Sequence, residues 1–561
     1  MCSILPCRFS LQLKIWTKRF KNNVLYLFKT SIHNTITFIS MKTSLLKNAA
    51  QIIQRPFTEN LPFTAMFFLS SCSVLSLHYM DKGCYEYTIY ILCGYFVATY
   101  LLSLLICLTG KVGTYVIMPF LLLLSPILSA FNLFCLTTYR TLVTPNIIEI
   151  IAGTNINEVK DFICSQVSIA QAATFAIAIA LIQIIYFVWR SRIKNEQYRN
   201  IATTGIGIVC ISIALSLHNP AAIKEIFYCP NDLSIKNWSF KIEEAISLKD
   251  HPHHPLVEET TESHPSKIVV ILGESFAKKC SSLYGYEKET NPRLKKLANG
   301  GGLFVFSDIT SPATSTTKTF KYILNSNVLN NKEAKRWYEY PNIVEIMKVA
   351  GYHSYWISNQ AETGIWDNVP SSTSAICDGK TFNKEYGKLH DSFVLKPTTF
   401  DNELFSSDTC IVFYHLMGQH PAYKSRYPQD FTKYKAADYS KYPKSQRQNR
   451  ADYDNATLYN DYIVSSIIDK YKNQDAIIFY FSDHGLDHYD VDSDYSGHGR
   501  EGIPASKEIA VKIPFMIYVT EHFKEKHHDA IEKIAKIKDK HFCTDSFIFY
   551  LLDLTGFKLK G

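Results

Sequence analysis

The sequence predicts an α-helical membrane domain of five spans followed by an α/β domain with a largely parallel sheet. Two observations carry this division. Long uncharged apolar runs fill the first two-fifths of the chain, and from Lys267 onward short apolar runs alternate with helical patterns. At 561 residues, 47% hydrophobic and 14% aromatic, the chain exceeds one ordinary domain and has ample material for a large core.

The runs at 63–80, 87–109, 113–137, 168–189 and 201–218 are each long enough to cross a hydrocarbon core as a helix, which takes about 20 residues. Basic flanks give their orientation, because Lys and Arg stay on the cytoplasmic side. Lys14, Lys18, Arg19, Lys21, Lys29, Lys42, Lys47 and Arg55 precede the first run, and Arg190, Arg192, Lys194 and Arg199 follow the fourth. Between the first two runs, Asp81 and Glu86 offset Lys82. An odd number of spans then carries everything after 218 to the far side, the periplasm or exterior of a bacterium. The start "MCSILPCRFSLQLKIWTKRF" has no long apolar core followed by a small-residue cleavage site, so the first span is expected to act as the address. Met41 is an alternative start.

The net charge of +8 lies largely beside the spans, which points to anionic lipid and away from nucleic acid as partner. Fourteen cysteines are scattered, and no pair has zinc-finger spacing or an assignable disulfide partner. Segments at 139–165 and 219–250 alternate apolar and polar residues at helical spacing and are expected on the outer membrane surface. "HPHHPLVEETTESHPS" (251–266) reads as a linker. The expected organisation is thus a basic segment 1–60, a membrane domain 61–218, interfacial helices and linker 219–266, and an outer domain 267–561.

In the outer domain "KIVVIL", "YHSYWIS", "TCIVFYHL" and "DAIIFYFS" have the length and β-branched, aromatic content of buried strands. Functional groups in such sheets collect beyond the carboxyl ends of the strands. The first run ends in Gly-Glu-Ser and the last in Asp-His-Gly, so Glu274, Asp483 and His484 are expected at strand ends, with Gly485 allowing a tight turn. Carboxylates and an imidazole suit a divalent cation with mixed oxygen and nitrogen ligands. His415 and His420 follow a third run, and His498 stands between glycines. "DITSPATSTTKTFKYIL" (308–324) is dense in hydroxyls and leads into a helical pattern, so it reads either as a polar loop with a helix cap or as the site of a nucleophile.

Taken in order behind five spans, "GES", the hydroxyl-rich loop, "HLMGQHPAYKSRYP", "FSDHG" and "GHG" resemble the membrane-anchored phosphoethanolamine transferases of Gram-negative envelopes. That family belongs to the alkaline phosphatase and sulfatase superfamily. The resemblance covers nearly the whole chain from about residue 60. It implies a zinc site of one or two ions, with Glu274, Asp483, His484 and a nucleophilic threonine hydroxyl as ligands. It also implies that His415, His420 and His498 bind substrate or a second zinc, and that Asn359 lies near the phosphate. The family loop aligns with Thr316 as nucleophile; Thr314 and Thr317 remain alternatives. Two positions depart from the pattern: Pro312 and Ala313 replace a Cys-Gly pair, and Thr363 stands where many lipid A modifiers carry lysine.

The implied reaction takes phosphoethanolamine from phosphatidylethanolamine onto Thr316, with His498 or His415 as acid and base. The group then passes to lipopolysaccharide or another envelope acceptor at the inner membrane. Rival readings are a phosphoglycerol transferase acting on lipoteichoic acid or glucan, and a non-catalytic membrane scaffold. A sulfatase proper lacks support, since no Cys or Ser lies in the Cys/Ser-x-Pro-x-Arg context.

Overall fold

The computed structural model describes residues 29–30, 47–81, 85–139, 143, 169–192, 205–213, 253–329, 336–360, 362, 369–384, 390–493, 495–500 and 503–560. The chain divides into two compact units, 1–133 with 174–228, and 134–173 with 229–561.

Helices α1 (Leu61–Asp81), α2 (Tyr85–Leu108), α3 (Met118–Tyr139) and α4 (Ile169–Arg192), in the first unit apart from residues 134–139 and 169–173, fall on the first four predicted spans. A π-helical turn, Gly113–Ile117, leads into α3. Thr88–Leu108 and Gly113–Leu136 are long and apolar enough to cross a membrane, and Leu61–Ser76 is a shorter apolar helix. Residues 205–213 of the fifth predicted span are helical, and Val209 packs with Phe57 and Tyr100. The rest of that span lies outside the described residues, as do the predicted surface segments apart from Tyr139 and Val143.

Beside the buried cluster of Phe63, Ile106, Met118, Leu122 and Tyr186, small polar side chains add hydrogen bonds between these apolar helices. Thr64 donates to Ser103 at 3.0 Å between α1 and α2. Ser70 on α1 meets Ser125 and Ser129 on α3, and Gln183 on α4 donates to the Leu122 carbonyl at 3.0 Å. Leu101, Leu105, Phe120, Leu123, Ile177 and Leu181 face outward.

The second unit holds the chemistry. Its strands are β1 (Leu256–Glu259), β2 (Lys267–Gly273), β3 (Leu303–Val305), β4 (Ile309–Thr310), β5 (His353–Ser358), β6 (Gly379–Phe382), β7 (Cys410–His415), β8 (Ala476–Ser482), β9 (Asp487–His488), β10 (Ser496–Gly497), β11 (Phe515–Val519), β12 (Phe542–Cys543) and β13 (Phe557–Lys560). Its main helices are α5 (Thr316–Ile323), α6 (Ile343–Val349), α7 (Lys444–Tyr471) and α8 (Phe547–Thr555).

Seven strands form the central sheet in the order β3-β11-β8-β2-β7-β5-β6. β8, β2, β7, β5 and β6 run parallel, while β11 runs antiparallel to both β8 and β3. The sheet is therefore mixed, and largely parallel as expected. The four runs read as strands from sequence are β2, β5, β7 and β8.

Alternation along β2 divides the core. Ile268, Val270 and Leu272 pack with Phe320 and Ile323 of α5 and Leu551 of α8, whereas Val269 and Ile271 pack with Ile463, Val464 and Ile467 of α7. Helix α6 starts at a capping box: Asn342 Oδ1 accepts from the Val344 and Glu345 amides, and Glu345 accepts from the Asn342 amide.

The predicted linker is partly structured. β1 lies inside it and pairs antiparallel with β13, from Leu256 opposite Lys560 to Glu259 opposite Phe557. His264 stacks on Phe557 with ring centroids 4.2 Å apart. Proline and acidic content hid this strand, because its partner lies some 300 residues away. Cys280, Cys377, Cys410 and Cys543 are free thiols.

Asp454 on α7 is buried and accepts hydroxyl protons from Tyr286, at 2.8 Å, and from Tyr439. Burial pushes its carboxyl from an ordinary 3.8 up to about 7. The folded chain thus binds this proton more tightly than the unfolded one, so the resulting stability is complete below about pH 4 and is lost as pH rises through about 7. Asp454→Asn is expected to flatten the pH dependence of the thermal midpoint across this window; an unchanged slope would refute the assignment.

Candidate active site

Strand register creates the site. Gly273 of β2 lies opposite Ser482 of β8, so Glu274 and Asp483 are the first residues beyond the sheet on adjacent parallel strands. On the other flank, Leu272 pairs with His415 of β7 and His415 with Ser358 of β5, which brings Asn359 to the same edge. Parallel neighbours end together, and their next residues meet.

Glu274 is buried and gripped through its backbone. Its carbonyl accepts from the Gln419 amide at 2.9 Å. Gly418 (φ +48°) passes so close that a Cβ there would come within 2.8 Å of the Glu274 oxygen and 2.9 Å of its nitrogen, so only glycine fits. Ser275 Oγ donates to Glu274 Oε1 at 2.6 Å. Gly485 is required by a close approach and not by positive φ, since a Cβ would lie 2.6 Å from the Lys512 carbonyl oxygen.

Asp483 Oδ1 accepts from the Ser275 amide at 3.1 Å and the His484 amide at 2.6 Å, while its Oδ2 is buried without a partner. His484 Nδ1 lies 2.8 Å from the Gly485 carbonyl. That contact requires Nδ1 to carry the proton, leaving the Nε2 lone pair free. Nε2 lies 3.5 Å from Glu274 Oε1, 3.5 Å from Asp483 Oδ2 and 3.4 Å from Thr316 Oγ1. Thr316 Oγ1 donates to Glu274 Oε2 at 3.2 Å.

Thr316 opens α5, where first-turn amides have no intrahelical acceptor. Among the described hydroxyls of its loop, Thr316 is the one bonded to Glu274 and His484. Thr314 offers its backbone carbonyl to His498 Nδ1 at 3.0 Å. The His498 ring lies 4.5 Å from that of His484.

Burial and the neighbouring Asp483 push the Glu274 carboxyl up to about 8, and burial pushes Asp483 to about 6. Two buried carboxylates side by side are costly when ionised without a positive counterpart. A cation removes this conflict. Glu274, Asp483 and His484 form a three-residue cluster whose donor atoms lie within 4.8 Å of one another. For ligands about 2.0–2.1 Å from a tetrahedral Zn²⁺, the donor–donor edge is roughly 3.3 Å, close to the separations seen here. The orphaned Asp483 Oδ2, the bare His484 Nε2 and this spacing fit such an ion.

The other predicted residues lie around this centre. Burial pushes His498 down to about 3, and burial, then Arg426 and the other histidines, push His420 well below its ordinary value. His420 Nδ1 is buried without a partner. His415 packs edge-on to Phe320 of α5, with ring centroids 5.4 Å apart, and its Nδ1 meets Ser358 Oγ at 3.2 Å. No described contact joins His415 to Thr316. Asn359 Nδ2 donates to Asp391 at 2.8 Å, and its Oδ1 accepts from Asn383 at 3.0 Å. Sequence reading missed Asp391, which is buried and accepts from the Met417 and Gly418 amides at 2.8 and 2.9 Å, fixing the turn against Glu274. It also passed over Ser275, although the Gly-Glu-Ser triplet contained the signal. Asp391 had none, as "HDSF" carries no motif.

A family model described as Sulfatase matches residues 266–556. Phosphoethanolamine transferase EptC of Escherichia coli O18:K1:H7 is 29% identical over 310 residues, covering 53% of this chain and 52% of its own length. Phosphoethanolamine transferase EptA of Helicobacter pylori is 33% identical over 270 residues, covering 47% of this chain and 49% of its own. The chain thus spans about half the length of the curated relatives it matches. Among solved structures, the integral membrane lipooligosaccharide phosphoethanolamine transferase A of Neisseria meningitidis has a TM-score of 0.62 at 16% identity, covering 88% of this chain and 95% of that one. This last likeness is one of fold.

Added Zn²⁺ is expected to raise the thermal midpoint of the full chain, a chelator to reverse the shift, and Asp483→Ala to abolish it. A shift of equal size in Asp483→Ala would exclude this cluster as the binding site.

Proposed function

We propose, from the premise that this chain belongs to the sulfatase family, that it is a zinc-dependent transferase moving phosphoethanolamine from phosphatidylethanolamine to an envelope glycolipid. The acceptor class is lipid A or the lipopolysaccharide core. The observation that carries this reading is the position of Thr316 Oγ1, at the start of a helix and 3.2–3.4 Å from Glu274 and His484. Names of the relatives supply the group transferred.

Glu274, Asp483, His484 and Thr316 would hold the ion, which when bound favours the threonine alkoxide and offsets phosphate charge. Thr316 Oγ attacks phosphorus, and the bond from phosphorus to the diacylglycerol oxygen breaks. The Thr316 proton passes to His498, whose Nδ1 is committed to the Thr314 carbonyl so that Nε2 carries the lone pair. His498 delivers that proton to the departing diacylglycerol. A phosphoethanolamine ester of Thr316 remains. The acceptor hydroxyl or phosphate then gives its proton to the same imidazole and takes the phosphoethanolamine, and Thr316 recovers its proton.

Amides in the first turn of α5 receive the phosphate oxygens. His420 contributes from the 416–420 turn as a substrate contact. His415 supports α5 from beneath through Phe320, and Asn359 acts through Asp391 on the same turn. Five spans, with residues 219–561 on the periplasmic side of a bacterial inner membrane, would tether the transferase to the bilayer that holds its donor.

Incubation of the full chain with phosphatidylethanolamine should place one phosphoethanolamine on the peptide containing Thr316, read by mass spectrometry. Thr316→Ala should show no adduct and background turnover. A glycerophosphate adduct would favour phosphoglycerol transfer, and an adduct surviving Thr316→Ala would refute the nucleophile.

A further inference from the structure

Directly after Glu274 the backbone turns through an unusual conformation. Ser275 has φ +57°, the left-handed region that a non-glycine residue enters only at a cost. Such a turn persists where its surroundings over-determine it. One side chain does so from a distance of 178 residues in sequence. The Tyr453 hydroxyl donates to the Ser275 carbonyl and accepts from the Ala277 amide, both at 2.8 Å. A single oxygen therefore bridges the two sides of the turn.

The consequences reach both carboxylates. With the turn fixed, the Ser275 hydroxyl meets Glu274 Oε1 and the Ser275 amide meets Asp483 Oδ1. Tyr453 itself is fully buried, and its ring is fixed on two sides. Tyr423 packs edge-on at 4.9 Å, and His488 stacks at 4.6 Å. His488 Nδ1 in turn bonds Ser496 Oγ at 2.7 Å, across the β9–β10 pair that leads to His498.

We propose that Tyr453 is a positioning residue for the metal site: its hydroxyl holds the strained Ser275 turn, and so sets the two carboxylates that face His484. This rests on the reading of Glu274, Asp483 and His484 as metal ligands. Tyr453 touches none of the ligand side chains in the described contacts and acts through the turn.

The test uses the full chain in detergent, with Zn²⁺ alone as probe and affinity measured by competition with a chromophoric chelator. Tyr453→Phe removes the oxygen and keeps the ring. Outer partners of metal ligands commonly contribute 10–100-fold to affinity, and a loss in that range is expected. Tyr471→Phe, on the same helix, removes another buried hydroxyl, bonded to Tyr414 at 2.9 Å away from the site, and should bind Zn²⁺ as the wild type does. Glycine enters positive φ without penalty, so Tyr453→Phe should cost less affinity in a Ser275→Gly background than in the wild type.

Wild-type affinity in Tyr453→Phe, an equal loss in Tyr471→Phe, or a full loss in the Ser275→Gly background would each overturn the proposal. A wild-type chain that binds Zn²⁺ but never forms a Thr316 adduct would overturn the transfer reading alone. A wild-type chain that binds none would overturn both.

Discussion

Two carboxylates that water would keep apart are held together out of water, and the arrangement of the groups around them follows from that constraint. Parallel pairing of β2 with β8 brings Glu274 and Asp483 to the same edge, and the packed core beneath them prevents either from retreating. Their raised proton affinities express the resulting cost. Everything nearby is arranged around it: an imidazole with a bare nitrogen, a threonine hydroxyl at a helix start, and amides occupying the Asp483 oxygen that faces away from the cluster. The positive charge the site needs is larger than the protein itself supplies there.

The main strands and the polar residues at their ends were legible because each is local. A buried parallel strand announces itself as a short apolar run, and the residue that ends the run is the one the sheet presents. Glu274, Asp483 and His484 needed nothing more. What brings them into register is the pairing of strands more than 200 residues apart, which no local pattern records. The antiparallel β11 reads like any other apolar run, since direction is a property of the connection and not of the residues. Tyr453 and Asp391 escaped notice for a related reason. Each acts by accepting or donating backbone hydrogen bonds to a distant turn, and a tyrosine on a long helix looks like core until its hydroxyl is located.

The two units also use polar atoms in opposite ways. In the helical unit, hydroxyls such as Thr64, Ser70 and Ser103 add hydrogen bonds between helices that also share apolar clusters. In the outer unit, apolar packing supplies cohesion, and buried polar groups such as Asp391 and Ser275 define shape at single turns. Removing a hydroxyl from the first loosens a contact; removing one such as Ser275 from the second frees a buried carboxylate.

His484 and His498 both have their proton-bearing nitrogen committed to main-chain carbonyls, those of Gly485 and Thr314. A carbonyl belongs to every residue, whatever side chain it bears. Changing the side chain at 314 therefore leaves in place the carbonyl that decides which His498 nitrogen carries the proton. The loop thus has one position, 314, whose side chain takes no part in fixing that tautomer.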